Sequence, residues 1–88
     1  MLVQLAPDYE NISRAWLVAI ERGWTHRCLG AIETLVLFHG LQGRFNDGAR
    51  LFTASLEKVE TLTVQTEHVA VLRATLQANL AWFVGALA

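Results

Sequence analysis

Eighty-eight residues make one domain with a single core. Hydrophobic residues make up 53% and charged residues 17%, against usual shares of about 45–50% and about 25%, so part of the apolar excess is expected to lie against another chain. The net charge is −1, and Arg14, Arg22, Arg27, Arg44, Arg50, Lys58 and Arg73 form no run. This argues against the basic footprint of a nucleic-acid binder.

Cys28 is the only cysteine and can form no internal disulfide. The N-terminus lacks the basic start and apolar core of a signal peptide, so the expected compartment is the cytoplasm. The apolar stretch from Val69 to Ala88 is interrupted by Arg73, Gln77 and Asn79. Its unbroken end, Leu80 to Ala88, is shorter than the roughly 20 residues that cross a bilayer. It reads as a buried helix, with no membrane partner.

In chain order, Pro7-Asp8 marks a first helix over residues 9–22, with Asp8 as its N-cap. Ile12, Trp16 and Ala19 recur on its apolar side, flanked by Ala15 and Ile20, and Gly23 stops it. Thr25 caps a second helix over residues 25–41. Cys28, Leu29, Ile32, Leu35, Val36 and His39 share one broad face, and Leu37 and Phe38 add a second apolar side. Gly40 and Gly43 break it.

Phe45, Ala49, Phe52, Leu56 and Val59, spaced 4, 3, 4 and 3, form the cleanest amphipathic stripe, on a third helix over residues 46–60. The short link between the second and third helices implies an antiparallel hairpin. A fourth helix is expected over residues 64–86. It carries one large stripe, Val69, Leu72, Leu76, Leu80, Phe83 and Leu87, and one small stripe, Ala70, Ala74, Ala78, Ala81 and Gly85. Two such stripes imply neighbours on two sides, the small one permitting close approach. No strand alternation is present. The expected fold is all-α, a single domain of about four helices in antiparallel hairpins.

The segment Gln42-Gly43-Arg44-Phe45-Asn46-Asp47-Gly48-Ala49 resembles the mid-repeat signature of the tetratricopeptide repeat, where a glycine turn precedes an aromatic, an acidic and a small residue. Ile32 and Leu35 match the large positions of that repeat's first helix, Phe52 the aromatic of the second and Ser55 its small position. Val36 and His39 depart from the pattern, and no proline follows Val59. Leu5-Ala6-Pro7-Asp8-Tyr9-Glu10-Asn11-Ile12, Ala15-Trp16 and Ala19-Ile20-Glu21-Arg22-Gly23 resemble a helical region of large bacterial regulators. Those proteins combine a nucleotide-binding switch domain with a tetratricopeptide-like array. Leu80-Ala81-Trp82-Phe83 then looks like the first helix of a following repeat. The resemblance implies a right-handed stack and a non-catalytic interaction module, with Glu33 and Leu37 facing a ligand groove.

His26 and Cys28 diverge around a helix, and Cys28 and His39 stand about 16 Å apart along one. Neither has zinc-ligand spacing, and HExxH, CxxC and the phosphate-loop motifs are absent. Glu67 and His68 diverge by about 100°, which argues against an acid–base pair. Cys28 has no base at a useful spacing. The expected reading is a packed Cys28, a semi-buried His39 and a surface His26, with no enzyme activity and no cofactor. A helix-turn-helix reader is disfavoured because Asn46, Arg50 and Lys58 share their helix with Asp47, Glu57 and Glu60. Trp16 and Trp82 read as core and interface residues.

The expected interaction surface comprises Trp24 in the first turn, Glu33 and Leu37 on the second helix, and Leu76 and Phe83 on the fourth. Leu76 and Phe83 are assigned to self-association. The alternative is an obligate helical homodimer, structural or ligand-binding, which would cover the fourth helix. The protein partner is unidentified, with no direct nucleic-acid contact.

Overall fold

The computed structural model describes residues 5–63 and 66–87, with side chains from Tyr9 onward. It contains four α-helices and, among the described residues, no strand: α1 Leu5–Glu21, α2 Thr25–Leu41, α3 Phe45–Glu60 and α4 Glu67–Leu87. The bounds of α2 and α3 follow the sequence pattern. α1 starts earlier than expected, so Asp8 lies inside the helix rather than at its cap, and Pro7 occupies the first turn, where a missing N–H breaks no intrahelical bond. The expected start of the fourth helix at residue 64 lies outside the described residues.

Two connections are built alike. Gly23 and Gly43 take φ of +76° and +67°, a region open to glycine at little steric cost. Each permits a paired C-terminal cap. Trp24 N–H donates to Ala19 C=O at 3.0 Å and Gly23 N–H to Ile20 C=O at 2.9 Å. One helix later, Arg44 N–H donates to His39 C=O at 2.8 Å and Gly43 N–H to Gly40 C=O at 3.2 Å. The next helix begins at once in both cases, so Trp24 rather than Thr25 takes the N-cap position, and it makes no side-chain cap bond.

Each helix touches the next and the next but one, while among the described residues α1 and α4 show no close backbone approach. The molecule measures 39 × 27 × 19 Å, and its thin dimension equals about two helix diameters. α3 lies against all three other helices. The core runs through Trp16, Ile20, Ile32, Phe52, Leu72 and Phe83. Burying each such side chain contributes about 1.5–3 kcal/mol.

The rotation of α1 differs from the expected one. Ile12 is 45% exposed and Ala15 faces solvent, whereas Trp16 and Ile20 are buried. The cause is polar: the Trp16 indole N–H donates to Ser55 Oγ at 2.7 Å, and the Ser55 hydroxyl donates to Leu51 C=O at 2.7 Å. A buried indole N–H without an acceptor would carry a desolvation penalty, so α1 turns to present it. On α3, Leu51 and Gly48 join the buried face because that helix meets neighbours on several sides.

Candidate interaction surfaces

The residues of richest chemistry lie inside. His39 is fully buried, not half-buried as expected. Its Nδ1 lies 2.7 Å from the Leu35 carbonyl oxygen, which can only accept, so Nδ1 carries the proton. Nε2 therefore accepts from the Tyr9 hydroxyl at 2.7 Å. The ring meets Phe38, Phe83 and Phe52 edge-on, with centroids 5.5, 5.8 and 6.4 Å away. Burial holds the imidazole below its ordinary pKa and raises that of Tyr9. The Arg44 guanidinium lies 4.8 Å from the Tyr9 ring centroid and pairs with Asp47 at 3.0 Å. Both nitrogens of His39 are engaged, and the ring locks α1 to α2. Cys28 is buried, and burial pushes its thiol pKa up. Among the described residues no group of three His, Cys, Asp or Glu side chains is placed to hold a metal ion.

The five residues assigned to an interaction surface separate into two groups. Leu76 and Phe83 are fully buried and offer nothing to a second copy. Phe83 packs on Phe52 at 5.4 Å between ring centroids, and its ring lies over Gly48, where a Cβ would come within 2.8–3.0 Å of it. The self-association surface assigned to this pair is therefore corrected: their stripe is the one that α4 turns inward.

Trp24, Glu33 and Leu37 are exposed. Glu33 and Leu37, four residues apart, share the outer side of α2. Leu37 is 60% exposed, and Leu41, one turn further on, is 83% exposed. Leu41 was missed in the sequence because it lies beside the glycine breaks. Trp82, placed by its pattern in packing, is 51% exposed. It meets α2 at Gly40, where a Cβ would stand 3.5 Å from the indole. The outer side of α2 and the Trp82 edge of α4 thus leave large apolar side chains in water at neighbouring positions.

The outer side of α4 is open too. Val71, Val84 and Leu87 are exposed, as are Ala70, Ala74, Ala78, Ala81 and Gly85 of the small stripe. Among the described residues nothing covers this side of α4. By length and composition α4 is apolar enough to cross a membrane, yet Val69, Leu72, Leu76 and Phe83 are buried. A shallow groove of about 380 Å³ between α3 and α4 has Ala49, Ala54, Leu80 and Val84 among its lining residues.

Trp24 stands apart, thirteen residues before Leu37 and about 20 Å from it along α2. The guanidinium groups of Arg22 and Arg27 lie 5.5 and 5.4 Å from its ring centroid. His26 and His68 face each other nearby at 5.3 Å between centroids. No pattern within one helix could have shown that pair, since α2 and α4 bring it together.

Comparison of the chain with protein families, with curated proteins and with solved structures finds no match.

Proposed function

We propose that this chain is a non-catalytic protein–protein interaction module of tetratricopeptide-like type, a right-handed stack of antiparallel helical hairpins. The contact pattern supports the stack. A closed four-helix bundle sets its first helix beside its last, whereas a progressive array joins each helix to the next two. Three-residue turns between contacting helices, residues 22–24 and 42–44, support the antiparallel hairpins. The resemblance supplies the setting, a cytoplasmic bacterial regulatory protein.

The observation that carries the reading is the outer side of α2. Leu37 and Leu41 are exposed there beside Glu33, over a core that is already filled. Exposed leucines at helical spacing with a charged neighbour form a surface fitted to a partner helix or peptide. The test is chemical cross-linking of tagged protein in cells, wild type against the double variant Glu33→Lys, Leu37→Glu. Both positions are exposed, so stability should move by no more than about 0.5 kcal/mol each. The account expects a cross-linked partner to disappear in the variant, and an unchanged set of partners contradicts it.

A second reading, an obligate helical homodimer, is favoured by one observation. The outer side of α4 combines Val71, Val84 and Leu87 with a row of alanines, a face that a copy of itself could cover about a two-fold axis. Val84→Glu separates the readings: it abolishes folding of an obligate dimer and leaves an interaction module folded.

A further inference from the structure

The α1–α2 turn carries two arginines that pair with no carboxylate among the described residues. Arg22 and Arg27 both lie against the Trp24 ring. Glu21 is engaged by Lys58. The first turn of α2 holds no acidic residue. Gly23, Trp24, Thr25, His26 and Arg27 line a surface recess of about 350 Å³. Trp24 itself is 45% exposed.

A guanidinium resting on an indole keeps its N–H edge free. Two such edges beside one aromatic side chain match carboxylates in pairs, and the exposed part of the indole offers apolar contact to the methylenes that carry them. We propose that the Trp24 turn is an acceptor for an acidic peptide segment, whose carboxylates pair with Arg22 and Arg27 while its aliphatic portion lies against the part of the Trp24 indole that stays exposed. This rests on the reading of the chain as an interaction module and adds the chemistry of a partner at a second place on it. A nucleic acid is the weaker occupant. Its affinity grows with the number of phosphates neutralised, and this end has two arginines on a chain of net charge −1.

The experiment titrates ¹⁵N-labelled protein with hexaglutamate and follows the indole N–H resonances, that of Trp24 assigned with Trp24→Phe. The expected result is a saturating shift of the Trp24 signal. The double variant Arg22→Gln, Arg27→Gln should weaken binding by about tenfold or more. Arg14→Gln, which removes an exposed arginine of α1 elsewhere, should change it by no more than about twofold. Three results overturn the proposal: a Trp24 signal that hexaglutamate leaves unmoved, an equal loss in Arg14→Gln, or tighter binding of hexauridylate than of hexaglutamate. If Trp24 stays unmoved while Glu33→Lys, Leu37→Glu still loses its cross-linked partner, the acceptor falls and the module stands. If hexaglutamate binds at Trp24 while that variant loses nothing, the α2 surface falls and the acceptor stands.

Discussion

α3 and α4 pack closely on one another, yet they relate to their own sequences in opposite ways. α3 touches three helices and has a cleanly amphipathic pattern, whereas α4 touches two and is apolar on two sides. The helix with fewer neighbours is the more apolar one. Burial inside this chain therefore accounts for the apolar residues of α3 and for only one side of α4. The remainder, Val71, Val84, Leu87 and the exposed edge of Trp82, is surface that the core does not need.

Adjacent residues on α4 sharpen the comparison most. Phe83→Ala should cost about 3–5 kcal/mol in urea unfolding, because the ring fills the space between Gly48, Phe52 and Phe45. Trp82→Ala, one position away, should cost far less, and equal losses would break the distinction between the two sides. Next comes Gly48→Leu on α3, which forces a side chain into the face of Phe83. It should destabilise by about 1–3 kcal/mol, with part of the loss recovered when Phe83→Leu is added. Ser55→Ala leaves the Trp16 indole N–H without its acceptor and should cost a similar or smaller amount, about 1–3 kcal/mol, again by urea unfolding.

A pH effect tests the inner lock. Burial lowers the pKa of His39 in the folded chain, while the unfolded chain keeps a value of about 6.5. The unfolded state then binds the proton first. Stability should be full above about pH 6.5 and fall as the pH drops toward the folded-state pKa, by at most about 1.4 kcal/mol per pH unit. His39→Phe should flatten that part of the profile. The smallest effect is Val84→Glu on the outer side of α4, expected to change stability by no more than about 0.5 kcal/mol.

Helix number, the bounds of α2 and α3 and most of the core were legible in the sequence, because apolar periodicity and the glycines at 23 and 43 are local signals. The rotation of α1 was not. Ile12 fits an apolar stripe as well as Trp16 does, and what excludes it is the acceptor at Ser55, on a helix 39 residues away in sequence. His39 was underestimated for the same reason, since its second partner, Tyr9, is 30 residues away. Leu76 and Phe83 were assigned to a surface because both apolar stripes of α4 looked equally fit for the core. The choice between them is made by Gly48, which leaves a space on α3 that a phenyl ring fills. Trp24 could be placed in an exposed turn, but the approach of Arg22 and Arg27 to its ring depends on the turn geometry that Gly23 permits.

The central claim is that the outer sides of α2 and α4 stay open on a chain that is folded by itself. Sedimentation equilibrium from about 1 to about 100 µM, with helicity followed by circular dichroism over the same range, tests it directly. The account predicts a helical monomer at the lowest concentration, its helicity unchanged on dilution. A dimer that persists at every concentration, or loss of helix as the protein is diluted, would contradict it and make the second copy part of the fold.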